Sequence, residues 1–405
     1  MYKGAITMNH PLPRGWQEFK LENILLDSFY GTSLPSSQVG KYPILKMNNM
    51  DNGNLILDKL SYIDLTDEEF NKIKLEKGDI LFNRTNSYEL VGKVSLFNIL
   101  GDYTIASYIV ALRPNQNIVN PIFLNNILNT QYYKNQISKL ISKGVSQCNI
   151  NPTALKKTIH ISLPPLYEQK RIADILSTFD DLIANLNKLI EKKEIYKKGV
   201  MQRVLSGEVR FNGFTDEWEI TTLDKIIVEK SIRNKDNKIN LVLSVTNKEG
   251  FVIQNEFFGK TIASKDLSNY KIVDKYDFAY NPARVNVGSI SMLENFDSCI
   301  VSPMYVVFSL NKLKIDKYFF KYWIQSNNFN GHIRSLSAGS VRSILSFDAM
   351  STMKIKLPSL EEQNKIAELL TLIDKDIEIL KQLLHLRKLQ KKGVMQKLLT
   401  GEVRL

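Results

Sequence analysis

LPPLYEQKRIADILSTFDDLIANLNKLIEKKEIYKKGVMQRVLSGEVRF occupies residues 163–211, and LPSLEEQNKIAELLTLIDKDIEILKQLLHLRKLQKKGVMQKLLTGEVRL occupies residues 357–405. The two stretches align without a gap at an offset of 194 residues, sharing Glu168/Glu362, Gln169/Gln363, the run Lys197 to Gln202 against Lys391 to Gln396, and Gly207 to Arg210 against Gly401 to Arg404. Internal repetition on this scale organises a fold before any local feature does. Each copy opens on Leu-Pro, which disfavours helix just before it, and closes near a glycine able to cap a helix C-terminus. Between these signals, Ile172, Leu176, Phe179, Ile183, Leu186 and Ile190 recur at alternating spacings of four and three, as do Ile366, Leu370, Ile373, Ile377, Leu380 and Leu384. That is the seam of a coiled coil. Two seams in one chain most simply pack on each other. A helix from Glu168 to Leu205 would be about 57 Å long at 1.5 Å per residue, with Gly199 and Gly393 as points where either copy would kink.

Working outward, the intervening segments differ more but keep common landmarks in order. GWQEFKLENI from Gly15 matches EWEITTLDKI from Glu217, KGDILFNRTNS from Lys77 matches KYDFAYNPARVN from Lys275, and VGKVSLF from Val91 matches VGSISML from Val287. Apolar strands follow in ASYIVALRP from Ala106 and VSPMYVVFSL from Val301; then come helix-like stretches, Pro121 to Ser142 and Ile315 to Leu336, and turns at Gly144 and Gly339. Short strands mixed with one or two helices predict an α+β fold. The chain therefore divides into a lobe (1–162), a helical spacer (163–211), a second lobe (212–356) and a second spacer (357–405). The expected architecture is two α/β lobes and two long repeated helices in an antiparallel coiled coil, with an internal pseudo-two-fold.

Lys and Arg total 54 against 42 Asp and Glu, a formal +12 that suits a polyanionic partner. The excess is +4 in residues 1–160, +2 in 161–210, +4 in 211–360 and +2 in 361–405. It belongs to two matched folded halves and not to a basic tail. No apolar run reaches the ~18 residues of a membrane span, and MYKGAITMNHPLPRGW lacks the apolar core of a secretory signal, so a cytoplasmic protein is expected. Cys148 and Cys299, one in each half, read as reduced structural thiols.

The LPPLxEQxxIAxxL opening at Leu163, its echo at Leu357, the KKGVMQ and GEVR closers and the GDIL turn at Gly78 together resemble the specificity subunit of type I restriction-modification enzymes, over essentially the whole chain. The resemblance implies that each diverged lobe is a target recognition domain reading one half of a split site in double-stranded DNA. It also implies that the repeated helices form a spacer docking two modification (methyltransferase) subunits, with separate restriction and motor subunits. S-adenosylmethionine, ATP and Mg2+ would then belong to those partners, and this chain would carry no cofactor. Helix length would set the unread spacer, with half-site centres about one DNA turn, roughly 34 Å, apart.

Bases are read by amide, hydroxyl and guanidinium groups, while phosphate contacts fix register. The polar turns of the first lobe offer Lys46, Asn48 and Asn49, then Asn83, Arg84, Thr85, Asn86 and Ser87, then Ser146, Gln147 and Asn149, with Arg84 the leading candidate. The corresponding places in the second lobe offer Ser244, Thr246 and Asn247, then Asn281, Arg284 and Asn286, then Ser340, Arg342 and Ser343. Solvated turns favour the same residue types. Lys192, Lys193, Lys197, Lys198, Lys388, Lys391 and Lys392 either track spacer phosphates or form a solvated helix face. Tyr132, Tyr133, Tyr318, Phe319, Phe320, Tyr322 and Trp323 stand at helical spacing and are read as core.

Catalytic alternatives find little support. Asn281-Pro282-Ala283-Arg284 lacks the second proline and the aromatic of an adenine-methyltransferase loop, and no phosphate-binding GxxxxGK[ST] run exists. Glu191-Lys192-Lys193 has the form of a nuclease E-x-K but sits on the helical repeat without a placed acidic partner. His10, His160, His332 and His385 are scattered singly, which leaves metal and general-base clusters unsupported.

Overall fold

The computed structural model describes residues 12–144, 146–254, 266–337 and 344–405. It divides into two compact units, Met1–Leu186 with Leu383–Leu405, and Asn187–Gln382. This partition cuts across the lobe-and-spacer division expected from sequence. Each unit joins one lobe to the start of one long helix and the end of the other.

In the first unit, a four-stranded antiparallel sheet runs in the order Leu25–Tyr30, Ile109–Pro114, Ile80–Asn83, Val94–Leu96. Its central strands are unbroken apolar runs because both faces are covered. Successive side chains alternate between faces: Ile80, Phe82, Val110 and Leu112 enter a core that includes Ile172, Leu176, Leu398 and Leu399, while Leu81, Ile109 and Ala111 enter a second core with Leu45, Met50 and Phe97. Smaller sheets pair Tyr42–Leu45 with Thr104–Ile105 and Ser61–Ile63, and Cys148–Ile150 with Ile141–Lys143 and Thr85–Asn86. A two-stranded ladder of Gln17–Lys20 with His160–Leu163 brings the lobe's two ends to the foot of the first long helix.

The second unit repeats the main sheet in the same order: Ile227–Lys230, Val306–Leu310, Phe278–Tyr280, Ile290–Met292. Alternation recurs as well, with Phe278, Tyr280 and Phe308 in one core and Ala279 and Val307 in another. Its ends close through Glu219–Thr222 against Lys354–Leu357. The turn before the central strand is locked alike in both lobes. Buried Asp79 accepts from the Glu76 amide and pairs with Arg113 at 2.9 Å, and buried Asp277 accepts from the Asp274 amide and pairs with Lys230 at 2.6 Å. Gly78 takes φ +105 there, and Tyr276, its counterpart, takes φ +71. That conformation is costly for a side chain with a Cβ.

The helix-like stretches after these sheets are each broken in two. Pro121–Leu128 and Gln131–Ser138 replace the first, with Ile141–Lys143 a strand, and Lys317–Trp323 and Asn327–Ser337 replace the second. The breaks fall where Thr130 and Ser326 offer hydroxyls to the amides of Tyr133 and Phe329, restarting the helix as N-caps. Tyr133, Phe319, Phe320, Tyr322 and Trp323 are buried, as expected of core.

The long helices span Leu166–Leu205 and Leu360–Leu399, 40 residues each and about 60 Å. Both continue through Gly199 and Gly393 without the break allowed for, and a Cβ at either glycine would meet only open space. No seam residue is exposed: Phe179, Ile183, Leu380 and Leu384 are half-buried and the other eight are buried.

Ion pairs explain the repeated letters. In the first unit, Arg404 donates from Nε and Nη2 to both oxygens of Glu168 at 2.6 and 2.7 Å, and Lys391 meets Asp180 at 2.6 Å. In the second, Arg210 grips Glu362 at 3.0 and 2.8 Å, and Lys197 meets Asp374 at 2.6 Å. Within each unit, rising numbers on one helix face falling numbers on the other, so the pairing is antiparallel. Adding 194 to the lower-numbered partner and subtracting it from the higher turns either pair of one unit into its counterpart in the other. Glu168 and Glu362 are fully buried, which such carboxylates tolerate only when paired this completely. The adjacent glutamines hold the lobes: Gln169 accepts from the Asn120 amide and donates to Ile118 and Pro164 carbonyls, while Gln363 does the same with Asp316, Lys314 and Pro358.

Candidate nucleic-acid interface

The first lobe's main candidate turn leaves the central strand at Asn83. Its Oδ1 accepts from the Thr85 amide at 3.3 Å, an Asx turn that redirects the chain. Arg84 is then fixed by its backbone, donating to the Tyr108 carbonyl at 3.0 Å and accepting from the Ile150 amide at 2.9 Å. Its guanidinium carbon lies 5.4 Å from the Tyr30 ring centre. Among the described residues, Arg84 Nε and Asn83 Nδ2 are buried without hydrogen-bond partners. Buried donors left unpaired are costly, and here they stand in the turn whose residue types suit base contact.

The third candidate group joins the second in one sheet. Thr85 and Asn86 pair with Asn149 and Cys148, and the Thr85 hydroxyl reaches Asn149 Oδ1 at 2.5 Å. Ser146 and Gln147 are exposed at the tip of the hairpin formed by Ile141–Lys143 and Cys148–Ile150, and Ser87 is exposed beside them in sequence from Asn86. Lys46 and Asn48 belong to a separate turn around the short helical segment Met47–Asn49.

Asn49 is corrected. It is buried, with Oδ1 accepting from the Lys46 amide and Nδ2 donating to Ile56 and Lys59 carbonyls, so its polar atoms brace the loop and leave none for a base. Asn83 is also buried, which makes it a positioning residue for the turn and not an exposed reader.

In the second lobe, Asn281 Oδ1 accepts from the Ala283 amide at 3.0 Å, repeating the Asx turn. Arg284 and Asn286 are exposed around the short 3-10 turn Val285–Val287, which Val285 anchors in the core. Gly288, at φ +91, stands where a Cβ would touch Asn247 at 3.4 Å, so exposed Asn247, at the tip of the Leu243–Thr246 hairpin, adjoins this turn. Ser244 is corrected: it is buried and accepts from Gln254. Thr246 staples its hairpin, donating to the Gly250 carbonyl and accepting from the Glu249 amide. Ser340, Arg342 and Ser343 lie outside the described residues. Leu345, just beyond them, returns to donate to the Pro282 carbonyl.

The helix lysines divide. Lys193, Lys197 and Lys391 bind Asp376, Asp374 and Asp180 and so tie the helices within their units, while Lys192, Lys198, Lys388 and Lys392 are exposed. Sequence reasoning overlooked Tyr30 and the contact of Lys143 with the Tyr88 ring at 5.3 Å, because sheet pairing alone brings those residues to the turn. Burial pushes the Cys299 thiol up to about 12, consistent with a structural and unreactive cysteine. Among the described residues, no three His, Cys, Asp or Glu side chains gather where a metal could sit, and no helix is long and apolar enough to cross a membrane.

The model of the type I restriction modification DNA specificity domain matches twice, at residues 13–197 and 203–386. The chain belongs to that family. Among relatives of this specificity chain, a putative type I restriction enzyme MjaX specificity subunit of Methanocaldococcus jannaschii is 31% identical, covering 97% of this chain and 95% of the relative. The MjaVIII specificity subunit of the same organism is 28% identical over 90% and 87%. The fold is similar to that of a crystal structure of a type I system S subunit from M. genitalium, at TM-score 0.59 and 18% identity over 97% and 98% of the two chains. The two matches of the family model place one recognition domain in each half of the specificity chain, in keeping with the repeated sheet order.

Proposed function

We propose that the specificity chain reads a bipartite site in double-stranded DNA, one half-site per lobe, and performs no chemistry itself. The observation that carries this is the recurrence of an Asn-anchored turn bearing an arginine at the end of the same internal strand in both lobes: Asn83-Arg84 and Asn281 to Arg284. The scaffold beneath these turns is the same, and the polar residues on them differ, as independent reading of two half-sites requires.

Two modification subunits dock on the long helices, and restriction subunits join that assembly in the cytoplasm. Support comes from apolar side chains that the seam leaves exposed at seven-residue intervals: Leu182, Leu189 and Tyr196 on the first helix, and Leu372, Ile379 and Leu386 on the second. A heptad stripe facing water is the pattern of a helix awaiting a helical partner. S-adenosylmethionine, ATP and Mg2+ bind the partners in this reading.

Exchange of residues 12–162 for the corresponding lobe of a relative, followed by methylation mapping of genomic DNA from cells holding the partner subunits, tests the proposal. One half-site should change and the other persist. A change in both, or methylation by the specificity chain alone, refutes it.

A further inference from the structure

Beside the first lobe's reading turn lies an open cleft of about 330 Å3, lined by Tyr88, Lys93, Gln131, Lys134 and Asn135 among others. Tyr88 follows the candidate readers Asn83 to Ser87 directly, so the cleft borders the surface assigned to DNA. Its charge is unusual. Lys134 has no carboxylate within ion-pair distance among the described residues, although the side chain reaches solvent. Lys93 is half-buried, donating to the Met50 carbonyl at 3.4 Å and making a long ion pair with Asp51 at 3.9 Å. Glu89 also lines the cleft, and Lys143 lies just beyond, over the Tyr88 ring. Burial in the cleft wall holds the Lys134 ammonium below its ordinary value against the pull of Asp51, and the charge of Lys93 adds to the depression. Two ammonium groups thus line one cleft, and an anion between them would offset the repulsion that Lys134 feels.

The second lobe supplies an internal control. The Asn83 amide donates to the Lys93 carbonyl as the Asn281 amide donates to the Ser289 carbonyl, so Ser289 is the counterpart of Lys93. Likewise the Lys134 amide donates to its N-cap residue Thr130 as the Asn330 amide donates to Ser326, so Asn330 is the counterpart of Lys134. Both cations of the first lobe are neutral in the second, and Ser289 turns inward to donate to the Val245 carbonyl at 2.6 Å. The same backbone therefore stands without a cation at either position; Lys93 and Ser289 each bind a neighbouring carbonyl, so the charge and not the hydrogen bond is particular to the first lobe.

We propose that Lys93 and Lys134 form a phosphate clamp, present in the first lobe alone, that holds a backbone phosphate of the duplex at the edge of the half-site read by the adjacent turn. This rests on the DNA-reading function above. A phosphate so held carries no sequence information; it sets the register in which Arg84 meets its base. The two lobes accordingly differ in grip, the first binding its half-site with the greater salt dependence.

The test uses the assembled complex with its modification subunits and carries the second lobe's residues into the first: Lys93→Ser, Lys134→Asn and the double variant. Binding to cognate and singly substituted duplexes is titrated at several salt concentrations. The double variant should bind every duplex more weakly, keep the base preference of both half-sites, and lower the slope of log affinity against log salt by about one. An unchanged slope, or lost preference at one base pair with an unchanged slope, overturns the clamp. If the unaltered complex shows no preference for any bipartite duplex, the DNA-reading function fails instead, which distinguishes the two. Amine acetylation of the unaltered complex gives a readout that does not depend on the variants folding: cognate duplex should protect Lys93 and Lys134 and leave Lys170, exposed on the first long helix, reactive. Equal protection by inorganic phosphate without DNA would assign the cleft to a free anion and overturn the proposal, as would no protection by the duplex.

Discussion

The ends of the long helices and the Asn-anchored turns of the lobes both recur in the two halves of the chain, yet they differ to different degrees for a physical reason. At the helix ends, Glu168–Arg404 and Glu362–Arg210 are the same interaction with the partners exchanged, and each glutamate is buried with both oxygens gripped by its arginine. A change at any of these positions strands a charge. On the turns, the scaffold is constrained, since Asn83 and Asn281 must each accept an amide two residues on, while exposed side chains beyond them such as Ser87, Arg284 and Asn286 are free to differ. Buried charge enforces likeness, and exposure permits divergence.

The strongest way to exploit the likeness is truncation. A chain of residues 12–211 holds Glu168 with Arg210 and Asp180 with Lys197, the complementary set that two copies need to pair with each other. It should dimerise, and sedimentation should show twice the chain mass; Arg210→Glu in that fragment should abolish the dimer. A well-folded monomer would mean that the two helices are less interchangeable than their ion pairs indicate.

In the full chain, Arg404→Ala and Arg210→Ala should each destabilise by the same amount, because each leaves one buried glutamate without its partner. Urea unfolding of each variant checks the equality, and a large inequality breaks the symmetry. Next in size come the turns. Arg84→Ala and Arg284→Ala should each relax one base pair of a different half-site by about 1–3 kcal/mol, measured with singly substituted duplexes; a uniform loss over all duplexes would make the arginine a phosphate contact. The smallest effect separates a brace from a reader within one turn. Asn49→Ala should cost about 1–2 kcal/mol of stability, since it leaves the Lys46 amide and two carbonyls without their partner, whereas Asn48→Ala should change stability by less than about 0.5. Thermal melts distinguish them.

Much of the fold was legible before the structure. The 194-residue offset, the four-three seam and the shared landmarks were enough for two lobes, two long helices and antiparallel pairing, because periodicity and repetition are linear properties of the chain. Helix breaks at Asn129-Thr130 and Ile324 to Ser326 were not seen, since N-caps inside apolar runs look like ordinary polar positions. Among the candidate readers, residue type marked Asn48 and Asn49, or Thr246 and Asn247, equally. Their hydrogen bonds separate them.

From sequence alone came the repeat, the matched charge of the halves, the seam and the polar turns, all carried by residue type and spacing. Tertiary structure decided which residues meet: that Arg404 belongs with Glu168 across 236 positions, that Thr85 joins Asn149, that Tyr30 lies against Arg84, and that Lys93 faces Lys134's cleft. Such meetings depend on strand order and on which side of a sheet a side chain points, and a shift of one residue in register would reverse them.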